Sequence, residues 1–149
     1  MMINIKLIEH ERFEDAPFIG ALICAVDCNI NCTGCFNQHL KQLSNIKKDS
    51  NDIINEVLSN KFNKGIILSG LEWSLQKDEM LELVNLALKN NLKVIIYTGL
   101  NEDIFKNICK EVYEIKNIYI KFGNYNKTSS SYVSENVKLA SKNQYIKKL

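Results

Sequence analysis

Apolar and polar residues alternate at the start of the chain, with Ile3, Ile5 and Leu7 set against Asn4 and Lys6, which predicts a half-buried strand over residues 3–8. After Pro17, residues 18–26 (Phe-Ile-Gly-Ala-Leu-Ile-Cys-Ala-Val) are apolar on both faces and predict a central parallel strand. Ile53, Ile54, Val57 and Leu58 share one helical face and predict a helix over residues 52–58. Residues 65–70 predict a short apolar strand closed by Gly70. The clearest helix spans residues 77–90, where Met80, Leu81, Leu83, Val84, Ala87 and Leu88 form a broad stripe. Asp78 and Glu79 suit its N-terminus, and Asn90-Asn91 stops it. A strand over 93–97, a helix over 102–112 and a strand over 118–123 follow, and the tail from Asn124 shows no period. Strands alternating with helices predict an α/β fold with a largely parallel sheet and right-handed crossovers. With no repeat and no interdomain linker, residues 1–149 read as a single domain.

Composition narrows the class. The chain is 46% hydrophobic and 24% charged, which is ordinary for a globular protein. Nineteen basic residues stand against 17 acidic ones, so no strong field points to nucleic acid or a membrane. The first residues lack the long apolar stretch of a signal peptide. The longest apolar run, 19–26, is too short to cross a bilayer. Five cysteines, clustered and odd in number, argue against a secreted disulfide framework and suit a reducing cytoplasm.

Cys28, Cys32 and Cys35 follow the spacing C-x3-C-x2-C directly after the apolar run of residues 18–26, which sets them at the C-terminal end of a strand, where ligand sites gather in parallel sheets. Three thiolates on a short loop can hold three irons of a cubane cluster and leave the fourth open to a small molecule. A helix would line these cysteines up with Cys24, but Asn29, Asn31, Thr33 and Gly34 are poor helix formers. A structural zinc site wants a second ligand pair, and His10 and His39 do not supply one. Cys24 reads as a small core residue; as a fourth ligand it would close the cluster and make the chain an electron-transfer protein. Cys109, in a predicted helix, reads as packing. The two histidines carry no acid–base constellation.

Residues 28–37, with Phe36-Asn37 straight after the last cysteine, resemble the activating proteins of anaerobic ribonucleotide reductases, a family of the radical S-adenosylmethionine (SAM) superfamily. The resemblance continues at Gly65-Ile66-Ile67-Leu68-Ser69-Gly70-Leu71-Glu72, similar to a strand ending in Ser-Gly-Gly-Asp/Glu that receives the amino group of SAM. It extends to Tyr97-Thr98-Gly99, similar to an aromatic-Thr-Gly strand end, and to residues 141–146, similar to a closing Ser-Asn-Gln-Arg motif. It covers most of the chain. The chain departs from the pattern at Leu71 (usually Gly), Trp73 (usually Pro), Lys121 (in the Asp place) and Tyr145 (usually Arg).

The resemblance implies an incomplete (β/α) barrel of radical SAM type and a 4Fe-4S cluster held by Cys28, Cys32 and Cys35. It implies SAM contacts from Phe36, Asn37, Ser69, Gly70, Glu72, Tyr97, Thr98 and Lys121. The activity implied is reductive cleavage of SAM to install a glycyl radical on a large reductase partner, with flavodoxin or ferredoxin as electron donor. A divergent small radical SAM enzyme acting on another protein, a peptide or a small molecule is the alternative within the same chemistry.

Overall fold

In the computed structural model, residues 1–30, 38–124, 132–134, 137–139 and 143–149 are described. The strands in chain order are β1 (Met2–Ile5), β2 (Ile8–Arg12), β3 (Gly20–Cys24), β4 (Ile46–Asp49), β5 (Gly65–Ser69), β6 (Lys93–Tyr97), β7 (Tyr119–Phe122), β8 (Tyr132–Ser134), β9 (Val137–Leu139) and β10 (Tyr145–Lys148). The α-helices are α1 (Ser50–Ser59), α2 (Lys77–Lys89) and α3 (Glu102–Ile108). Six strands form the main sheet in the order β10-β7-β6-β5-β3-β2. β3, β5, β6 and β7 run parallel, and β2 and β10 flank them as antiparallel edges.

β5 and β6 form this sheet's interior because Ile66, Ile67, Leu68, Val94, Ile95 and Ile96 leave no polar face, and all six are fully buried. α2 turns Met80, Leu83, Val84 and Ala87 into the core, and α1 adds Ile53, Ile54 and Val57. Burying each of these side chains other than that of Ala87 stabilises the fold by roughly 1.5–3 kcal/mol before entropy is counted. Asp49 caps α1 through the N–H of Asn51 (2.9 Å), and Asn101 caps α3 through that of Ile104 (3.0 Å). The α/β reading and the mostly parallel sheet stand. The sheet has two edges, β2 and β10, among the described residues.

Four expectations change. The strand predicted over residues 3–8 is two strands: β1 pairs with β4 in a separate two-stranded sheet, and β2 pairs with β3. The break falls at Lys6, whose side chain is buried and donates to the carbonyls of Lys41 and Leu43. β3 is fully buried as expected, but only its β5 side is parallel. The helix predicted over residues 102–112 ends at Ile108, and Lys110–Glu114 continues as a 3-10 turn. The tail, read as without period, contains β8, β9 and β10. Glu102 fastens β10 by accepting from Lys147 Nζ (2.7 Å) and the Tyr145 hydroxyl (3.3 Å). Among the described residues no helix is long and apolar enough to cross a membrane.

Candidate functional site

A cavity of about 340 Å³ opens where the parallel strands end, lined by Cys28, Ser69, Gly70, Glu72, Tyr97, Thr98 and Lys121 together with residues of the first loops. The fold thus gathers seven of the site residues expected from sequence around one space. Cys32, Cys35, Phe36 and Asn37 lie outside the described residues, as do Ser141 and Lys142 of the closing motif.

The turn after β5 shapes one end of the cavity. Gly70 has φ +85°, and a Cβ there would collide with the Cys24 sulfur, so a glycine is required. The next residue, Leu71, is not among the positive-φ residues, which is why leucine is tolerated where the resembled family has glycine. Glu72 is only 3% exposed. Its Oε1 accepts from the Gly99 N–H (2.8 Å), its Oε2 from the Ser74 N–H (3.1 Å), and the Thr98 hydroxyl lies 3.1 and 3.0 Å from the two. No ion pair of the described residues includes Glu72, so this buried carboxylate rests on neutral donors and faces a cavity. Trp73, in the place of a proline, is fully buried and donates its indole N–H to the Ile23 carbonyl (3.1 Å), pinning the turn beneath β3.

The cysteine loop leaves β3 next to this turn. Asp27 Oδ1 accepts the Cys28 N–H (2.8 Å), and Cys28 Sγ receives the Ile30 N–H (3.4 Å). A backbone N–H donated to sulfur is a means of tuning a cluster ligand. The half-buried Cys28, facing the cavity, fits the role of one cluster ligand on these grounds. A Cβ on Gly99 would meet Ile30 Cδ1 at 2.7 Å, so this glycine lets the loop lie against the end of β6. Cys24 differs from Cys28: burial drives its pKa up from 9.0 to about 11, and its thiol donates to the Ala25 carbonyl (3.3 Å). The core reading of Cys24 agrees with that burial, as does the packing reading of Cys109, which is also fully buried.

The cavity lining also includes residues that sequence reasoning missed. Arg12, the chain's sole arginine, bonds Asp15 through Nε (2.7 Å) and pairs with Glu9, and all three line the cavity. No motif marks them; only the i, i+3 spacing of opposite charges in a turn-rich segment hints at the pairing. Lys121 sits over the Tyr97 ring (4.9 Å) and donates to the Gly123 carbonyl (3.2 Å). The Tyr97 hydroxyl donates to the Asp15 carbonyl (2.7 Å), and burial keeps its pKa far above the ordinary tyrosine value. His39, given no role from sequence, and Gln144 of the closing motif also line the space. The cavity lining therefore includes the carboxylate of Glu72, the thiol of Cys28 and the ammonium of Lys121.

A family model for a 4Fe-4S single cluster domain matches residues 19–147. That span covers most of the chain and includes all three cysteines of the loop. No curated protein matches the chain.

Proposed function

We propose that this chain, which belongs to the 4Fe-4S single cluster domain family, is a radical SAM enzyme. The observation that carries the reading is Glu72, a buried carboxylate with no ion pair among the described residues, in one cavity with Cys28. A buried carboxylate whose donors among the described residues are all neutral suits a ligand that brings a cation, such as the ammonium of SAM. A cluster held by the loop cysteines would supply one electron for the reductive cleavage of bound SAM.

Cys28, Cys32 and Cys35 would hold the cluster, with the Cys28 sulfur steadied by the Ile30 N–H. Glu72 would take the ammonium, with backbone groups of Ser69 and Gly70 beside it. Lys121, which also lines the cavity, would take the SAM carboxylate. Tyr97, locked by Asp15, would wall the adenosine side, with Phe36 and Asn37 completing the contacts as the resemblance implies. Leu71, nearly buried at the cavity edge, would exclude water.

The substrate we favour is a backbone glycine of an anaerobic ribonucleotide reductase. A large partner of that kind would complete the cavity at the ends of the parallel strands. A flavodoxin or ferredoxin would deliver the electron in a reducing cytoplasm. Lys121 and Leu71, where the resembled family carries Asp and Gly, favour one second reading: the same chemistry on another protein, a peptide or a small molecule.

The test is the electron paramagnetic resonance spectrum of the reduced, reconstituted protein with and without SAM. Binding at an open iron changes the cluster signal, whereas an unchanged spectrum at saturating SAM rejects the reading.

A further inference from the structure

We propose that Thr98 is a positioning residue that holds the Glu72 carboxylate toward the cavity for a cationic ligand and does not itself contact the ligand. The proposal rests on the reading of Glu72 as the ammonium acceptor. Thr98 is 1% exposed, and its backbone N–H is tied to the Lys121 carbonyl (2.9 Å). Its hydroxyl oxygen accepts the Leu100 N–H (3.1 Å), which leaves the hydroxyl proton to be given away. The acceptors within reach are the two oxygens of Glu72, at 3.1 and 3.0 Å. A hydroxyl has one proton to donate, so Thr98 spends it on Glu72 whichever oxygen takes it.

A carboxylate offers about four acceptor sites. Thr98, the Gly99 N–H and the Ser74 N–H are three protein donors to it, two of them backbone groups whose positions the strand end and the 3-10 turn Trp73–Gln76 fix. Capacity for one more donor remains on a residue that lines the cavity. The backbone donors survive any substitution at position 98 and hold one oxygen each, so the hydroxyl of Thr98 is the one side-chain donor, among the described residues, that a substitution there removes from the carboxylate.

The test uses the full chain, anaerobically reconstituted, as Thr98→Val and Thr98→Ser. Calorimetry measures the binding of SAM and of a SAM analogue with a hydroxyl in place of the amino group. Losing a hydrogen bond to a charged group is expected to weaken SAM binding by about tenfold in Thr98→Val, with Thr98→Ser restoring it. Affinity for the analogue should stay within about twofold of wild type in both variants. In the ligand-free protein, the Gly99 amide proton, which donates to Glu72, should shift upfield in Thr98→Val and return in Thr98→Ser. Equal SAM affinity in Thr98→Val and wild type, or equal losses for SAM and analogue, overturns the proposal. A wild-type protein that binds no SAM sinks the functional reading instead, and the Gly99 signal then decides by itself whether Thr98 holds the carboxylate.

Discussion

The backbone N–H of Glu72 donates to the carbonyl of Asp27 at 2.8 Å. This bond joins the turn that presents the carboxylate to the loop that presents Cys28. The Asp27 side chain extends the link by accepting the Cys28 N–H at 2.8 Å, and the Val26 N–H donates to Gln76 Oε1 at 2.9 Å. The turn with Glu72 and the loop with Cys28 are therefore held in register by one main-chain bond and two bonds to side-chain acceptors.

Asp27→Ala keeps the carbonyl link but removes the acceptor for Cys28. It should cost at most about 1 kcal/mol of stability, since the side chain is exposed, while speeding cluster loss severalfold. Asp27→Asn, which retains an acceptor oxygen, should behave as wild type. Iron retained per chain during a timed chelator challenge reads the effect. Equal retention in the Ala variant would dissociate Asp27 from the loop.

Gly70→Ala places a Cβ into the Cys24 sulfur at a backbone angle that side chains rarely adopt. A loss of about 2 kcal/mol or more is expected in urea unfolding. A variant as stable as wild type would mean that the turn can relax away from β3.

Cys24→Ala should retain the full iron content, at a packing cost of about 1 kcal/mol. Cys28→Ala, Cys32→Ala and Cys35→Ala should each lose the cluster. Iron loss in Cys24→Ala would instead make Cys24 a fourth ligand and the cluster closed.

Cys109 is buried, and desolvation raises its pKa from 9.0 to about 11. The folded chain therefore holds a proton that the unfolded chain releases between those values, so its contribution to stability is present below pH 9 and lost as pH rises toward 11. Cys24 adds the same effect over the same window. Urea midpoints of the cluster-free protein should fall between pH 9 and 11, and more gently in Cys109→Ala. An unchanged slope would show that the thiol does not titrate with unfolding.

The parts of the fold legible in the sequence are those with a strong period. β5 and β6 are unbroken apolar runs, and α2 carries a broad stripe, so their bounds agree with expectation to within about a residue. β4 (Ile46-Lys47-Lys48-Asp49) and β10 (Tyr145-Ile146-Lys147-Lys148) carry almost no apolar pattern. They are strands because β1 and β7 supply backbone partners, a tertiary cause that local sequence does not encode. In the site, Cys28, Gly70 and Glu72 were marked by spacing and resemblance. Arg12 and Asp15 were not, since Arg12 ends the edge strand β2, Asp15 lies in the loop after it, and only the fold brings them to the cavity. Thr98 was legible as a site residue, but its partner depends on how β6 lies beside the turn after β5.

Formation of 5'-deoxyadenosine by the anaerobically reconstituted protein, given SAM and a strong reductant and followed by mass spectrometry, tests the radical SAM reading most directly. The expected result is 5'-deoxyadenosine and methionine above the level of a Cys28→Ala control. No product from a chain with an intact, reducible cluster would contradict it.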